Sequence, residues 1–125
     1  MNKDGRKMPK IFYVNWFRKT SDGKYMWPGF GENIRVLEWV FKRTDNEPNT
    51  AQTSPIGLIP SVDSFDLDGL KLDCKLEDIL SIDKQFWMKE VNDIRQYFDE
   101  YINDSTPREI SDEIDSLKKR VDDMK

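Results

Sequence analysis

Apolar positions along this 125-residue chain change their spacing about halfway, and each spacing predicts a different kind of element. Residues 11–17 are dense in aromatic and β-branched side chains and read as a strand, with which residues 24–27 can pair across the turn Ser21-Asp22-Gly23. A hairpin is expected there. After Pro28-Gly29, the residues Ile34, Leu37 and Phe41, with Val36 and Val40 beside them, follow helical spacing over 33–43 and give that helix an apolar face. Residues 44–54 are polar, contain Pro48 and show no period, so they read as a surface loop. Residues 55–60 then read as a short buried strand fenced by two prolines.

The second half is simpler. Leu76–Leu80 suggests a short helix, and Trp87, Val91, Ile94, Phe98 and Tyr101 repeat at 4-3-4-3 spacing, which puts all five on one stripe of a long helix. That stripe is expected to pack on the first half. Thr106-Pro107-Arg108-Glu109 opens the last helix, with Thr106 as cap, Pro107 at the first helical position and Glu109 closing a capping box. Ile110, Ile114, Leu117, Val121 and Met124 repeat the same period, but two heptads fall short of a free coiled coil, so this helix should dock on the preceding one. The expected class is α+β: short aromatic-rich strands in a hairpin, then a mainly helical C-terminal half. Residues 1–10 form a polar leader and 11–125 one folded part.

Charge is unevenly placed. Residues 1–43 carry ten Lys and Arg against four Asp and Glu, whereas the other 82 carry ten against twenty, for a net charge of −4. A positive field around aromatic rings favours an anionic ligand, either a nucleotide or a nucleic-acid backbone. The absence of histidine removes Ser-His-Asp and Cys-His catalysis and any His-ligated metal from these residues. No Gly-x-x-x-x-Gly-Lys-Ser/Thr loop is present to cradle phosphates. Asp63, Asp66, Asp68 and Asp73 lack the twelfth-position glutamate of a calcium loop and read as a polar turn. The single cysteine, Cys74, excludes an internal disulfide framework and fits a reducing compartment, so the cytoplasm is the expected location. With no apolar run near ~20 residues and no signal-peptide core in the leader, a soluble protein without a membrane partner is expected.

Residues 15–33 set aromatic rings beside a Pro-Gly turn and an amide at a helix start. Flat rings and an amide suit a purine, which offers two faces for stacking and a polar edge for hydrogen bonds. Val-Asn-Trp-Phe-Arg at 14–18 and Trp-Pro-Gly-Phe-Gly-Glu-Asn at 27–33, running on through Arg35, Val36, Leu37, Glu38 and Trp39, resemble the guanine-binding segment of the GTP-dependent phosphoenolpyruvate carboxykinases. The resemblance covers nearly all of this chain but only the C-terminal fifth or so of that family's length, which implies a fragment.

By that resemblance, Phe17, Tyr25 and Phe30 stand where the family places rings around the guanine, and Asn33 where an amide bonds the base edge. Tyr25 departs from the family's usual phenylalanine but keeps the stacking face. Trp16, Trp27 and Gly29 flank the site, and Trp39 belongs to the core. Each has an ordinary structural reading too, the rings as core and Asn33 as helix N-cap. An amide can flip to suit either purine, so guanine is implied by the resemblance alone. The resemblance further implies that the complete enzyme, acting in gluconeogenesis, converts oxaloacetate and GTP to phosphoenolpyruvate, GDP and carbon dioxide with manganese and magnesium. Its metal ligands and phosphate loop lie upstream of these residues. The expected partners are a guanine nucleotide and the remainder of the carboxykinase, and the segment alone is expected to be inactive. Two other readings stay open: a free-standing module that stacks single-stranded nucleic acid or a nucleotide, with nucleic acid the less favoured ligand, and a structural remnant that joins a separate catalytic chain.

Overall fold

The computed structural model describes residues 8–125, so residues 1–7 of the expected leader lie outside the described part. The elements are a 3-10 turn at Phe30–Glu32, helix α1 (Asn33–Thr44), strands β1 (Ala51–Ser54) and β2 (Gly57–Pro60), a 3-10 turn at Val62–Ser64, and helices α2 (Leu76–Leu80), α3 (Lys84–Tyr101) and α4 (Arg108–Asp122). A further 3-10 turn, Asn103–Ser105, separates α3 from α4. The class is α+β, as expected. The chain forms two compact units, one of residues up to 52 with Pro60–Leu80, the other of Thr53–Ile59 with Ser81–Lys125.

In the first unit, the strand expected at 11–17 is absent, and Ile11 and Tyr13 are almost fully exposed. A strand needs a partner for its backbone groups, and the pairing reaches only the single antiparallel bridge between Lys19 and Tyr25. α1 forms where its spacing predicts, but it turns a different side inward. Trp39 is buried, Val36 and Val40 are half-buried, and Ile34, Leu37 and Phe41 face solvent. The Trp39 indole N–H donates to the Thr50 carbonyl at 2.6 Å, and its ring meets that of Phe12 in a T-shaped contact with centroids 5.7 Å apart. A large ring that also finds a hydrogen-bond acceptor outweighs the smaller apolar stripe. The Cys74 thiol sits 3.8 Å from the Met26 carbonyl, and burial pushes its pKa up.

The strands depart from expectation as well. β1 occupies the end of the expected polar loop, and β2 is not buried, since Leu58 is more than half exposed. Pro55-Ile56 makes the two-residue connection, after which Gly57 adopts a positive φ of 122° that an L residue resists.

The second unit is built on α3 and α4. Asp83 caps α3 by accepting the Phe86 N–H at 2.6 Å. Asn103 takes a left-handed φ of 52° in the turn between the helices. Lys84 Nζ donates to the Asp122 and Met124 carbonyls at 2.7 and 2.6 Å, so a cation meets the carbonyl end of α4. Val91, Ile114 and Val121 form the core, with Trp87, Met88, Ile94, Phe98, Leu117 and Met124 packed on it. The α3 stripe, expected to pack on the first half, thus has α4 as its core partner instead, and α4 docks as its spacing predicts. Tyr101 is the exception, exposed and tilted against Tyr97 at 5.1 Å. The expected capping box does not form. Pro107, at ψ 139°, is itself the N-cap, its carbonyl accepts from Ile110 and Ser111, and no side chain caps the helix.

Replacing Val121, which is wholly buried, by alanine removes two methyl groups and leaves a small cavity. The chain should lose about 2 kcal/mol of unfolding free energy. Ile110→Ala, at a position 40% exposed, should lose less than about 1 kcal/mol. Urea titrations followed by circular dichroism read both, and equal losses would contradict the placement of the core.

Candidate functional site

The candidate residues all belong to the first unit, and short-range turn chemistry arranges them. Asn15 Oδ1 accepts the Phe17 N–H at 2.9 Å, an Asx turn that fixes the chain at Trp16 and Phe17. Beyond it a miniature hairpin closes: Met26 N–H donates to the Arg18 carbonyl at 2.9 Å, Thr20 N–H to Lys24 at 2.9 Å and Gly23 N–H to Thr20 at 3.0 Å. The Thr20 hydroxyl donates to Asp22, and this bond holds the Asp22 carboxyl below its ordinary pKa.

This hairpin brings Phe17 and Tyr25 together, with ring centroids 6.1 Å apart and planes at 65°. The rings make a corner. Lys19 Nζ lies 4.8 Å from the Tyr25 ring centroid, a cation held on the ring face. Yet Phe17 remains 72% and Tyr25 57% exposed, so neither belongs to the core, as an ordinary structural reading has it. Phe30, in the 3-10 turn before α1, is 96% exposed, and the described ring contacts do not include it.

Trp27 and Asn33 form a second pair. Gly29 stands between them at φ 104°, a conformation that an L side chain rarely adopts even though a Cβ there would meet nothing within 4 Å. The turn it permits brings the chain back so that the buried Trp27 indole N–H donates to Asn33 Oδ1 at 2.9 Å. Asn33 is therefore not the helix N-cap. It is the first residue of α1, the cap position falls to Glu32, and the asparagine amide is held by the indole. Trp16 is half-buried.

Sequence reasoning counted Arg35 in the matching string but gave it no role. Its Nε donates to Glu32 Oε2 at 2.6 Å, while Nη1 and Nη2 donate to the Asp66 and Asp68 carbonyls at 2.5 and 2.8 Å. The Glu32 bond raises its pKa further. One planar fork thus ties the first turn of α1 to the aspartate-rich loop. Asp66 also accepts the Asp68 N–H at 2.9 Å, which makes the loop a polar turn. Among the described residues, no group of three or more His, Cys, Asp or Glu side chains is set to hold a metal ion. No described helix is long and apolar enough to cross a membrane.

Residues 1–120 match the family model of the phosphoenolpyruvate carboxykinase C-terminal P-loop domain. Curated relatives agree. The cytosolic phosphoenolpyruvate carboxykinase [GTP] of Bos taurus is 48% identical over 118 residues, 94% of this chain and 19% of the relative. The mitochondrial form of Homo sapiens is 43% identical over 122 residues, 98% of this chain and 19% of the relative. The phosphoenolpyruvate carboxykinase [GTP] of Haemonchus contortus is 39% identical over 121 residues, 97% and 19% of the two chains. The chain thus spans about a fifth of the length of these relatives.

Arg35→Met keeps an unbranched side chain and deletes the fork. The Leu70 N–H, which donates to the Leu67 carbonyl at 3.0 Å beside the tethered carbonyls, should then exchange with solvent faster, while amides in α3 keep their rates. Amide hydrogen exchange resolved by NMR is the check. Unchanged protection at Leu70 would show that the loop holds itself.

Proposed function

We propose a function from one premise: the chain belongs to the family of GTP-dependent phosphoenolpyruvate carboxykinases, within its C-terminal P-loop domain. On this reading the segment supplies the wall of the nucleotide site that holds the guanine, with Phe17, Tyr25 and Phe30 as stacking faces and Asn33 as the edge partner. The whole enzyme converts oxaloacetate and GTP to phosphoenolpyruvate, GDP and carbon dioxide.

The observation that carries the proposal is the exposure of the three rings. Each leaves more than half of its surface uncovered, although an aromatic side chain gains 1.5–3 kcal/mol or so on full burial. A purine laid on such faces recovers that gain and excludes water from its own edge, where the Asn33 amide can act. The segment binds and orients, and its residues take no part in proton or phosphoryl transfer. The matched residues contain no Gly-x-x-x-x-Gly-Lys-Ser/Thr string, so the triphosphate is held by other residues of the enzyme. The described residues offer no cage for the manganese and magnesium of this reaction.

The partner on this reading is the remainder of the carboxykinase. Ile34, Leu37 and Phe41 form an exposed stripe on α1, and Ile11 and Tyr13 add to the uncovered apolar surface of this unit. A patch of this kind is what a larger protein covers. The cytoplasm is the proposed compartment, in keeping with the one cysteine, Cys74, which is free.

Purified as the 125-residue chain, the protein should show no formation of phosphoenolpyruvate from oxaloacetate, GTP and manganese, because its sequence lacks a Gly-x-x-x-x-Gly-Lys-Ser/Thr string and its described residues offer no cage for a metal. Turnover surviving purification to homogeneity would overturn the assignment of roles. In the full-length enzyme carrying this segment, Phe30→Ala removes a stacking face worth about 1–3 kcal/mol. KM for GTP should therefore rise roughly fivefold to a hundredfold. Because the ring holds the base away from the reacting phosphorus, kcat should change little. Steady-state kinetics at varied GTP give both constants, and an unchanged KM would remove Phe30 from the site.

A further inference from the structure

The hydrogen bond between Trp27 and Asn33 fixes what is otherwise ambiguous in an asparagine. An indole N–H can only donate, so the amide atom facing it at 2.9 Å is the oxygen. The amide NH2 is then the group left to meet a ligand. We infer that Trp27 is a specificity-determining residue: by holding Asn33 Oδ1, it commits the free end of the amide to donate, and so to take a purine that carries a carbonyl at position 6. This inference rests on the base-site reading above and deepens it.

The chemistry decides which purine is meant. Guanine and adenine both offer the acceptor N7, which cannot separate them, whereas the 6-carbonyl of guanine is replaced by a donating amine in adenine. A donor facing that amine leaves two N–H groups opposed and unsatisfied, which costs far more than a lost contact. Without the indole the amide is free to rotate and present its oxygen to the amine instead. Trp27 itself is buried and acts on the base through Asn33, so it is a positioning residue.

The test titrates the 125-residue chain, followed by NMR, with GMP and with 2,6-diaminopurine riboside 5′-monophosphate. The second probe keeps the 2-amino group but exchanges the 6-carbonyl for an amine. The unmodified chain should prefer GMP by roughly fivefold to a hundredfold. In Trp27→Phe, which keeps an aromatic ring and deletes the donor, the ratio should fall towards one. A ratio that persists in a variant with native-like amide dispersion would overturn the role of Trp27 and leave the base site standing. No saturable shift with either nucleotide would remove the base site, and this inference with it. Should Trp27→Phe fail to fold, the unmodified chain decides. Its Trp27 indole proton should exchange slowly, and the Asn33 side-chain NH2 signals should move with GMP but not with the diaminopurine. A freely exchanging indole proton, or Asn33 signals indifferent to GMP, would overturn the inference.

Discussion

A buried indole ring brings into the interior one N–H that can only donate, and an unmet donor there costs on the order of 1–3 kcal/mol. The first unit is arranged around two such groups. Trp39 is satisfied by the Thr50 carbonyl and Trp27 by Asn33 Oδ1, and no described buried side-chain nitrogen or oxygen lacks a partner. The first bond ties α1 to the chain beyond its end, where Asn46 and Asn49 adopt left-handed conformations and Thr50 is buried. The second bond closes the Pro28-Gly29 turn. Together they set the direction in which α1 leaves the aromatic segment and the orientation of the amide at its start.

The rings that carry the proposed function are under the opposite constraint. Trp27 and Trp39 are buried, whereas Phe17, Tyr25 and Phe30 are left uncovered within 15 residues of sequence containing the same Pro-Gly turn. The difference follows from local geometry rather than hydrophobicity. The Asx turn at Asn15 and the miniature hairpin hold Phe17 and Tyr25 at a 65° corner in which each ring covers only part of the other, and both stay more than half exposed. Rigid turns that keep apolar faces exposed are a means of preparing a site before its ligand arrives.

Much of the helical half was legible in the sequence, because a 4-3 repeat fixes which residues share a stripe regardless of what covers it. Val91, Ile94, Ile114 and Val121 meet in the core of the second unit for that reason. The strand at 11–17 and the buried face of α1 were misread because both depend on partners. β-propensity forms no strand without a ladder to join, and an apolar stripe such as Ile34, Leu37 and Phe41 turns inward only if something lies there. The capping box at Thr106 failed on one dihedral, since the extended Pro107 ended up as the cap. For the site, the string at 27–33 pointed to the family directly, but the bond from Trp27 to Asn33 spans a turn without periodicity. Only the three-dimensional course of the chain at Gly29 reveals it.

The central claim is that the aromatic corner and Phe30 receive a guanine base. Its most direct test is a 13C-resolved NMR spectrum of the chain labelled at phenylalanine and tyrosine, recorded during titration with GMP. Ring currents from a stacked base should shift the signals of Phe17, Tyr25 and Phe30, while those of Phe86, Tyr97 and Tyr101 in the second unit stay in place. Ribose 5-phosphate should shift none of them. Shifts confined to the second unit, or equal shifts with ribose 5-phosphate, would contradict the account.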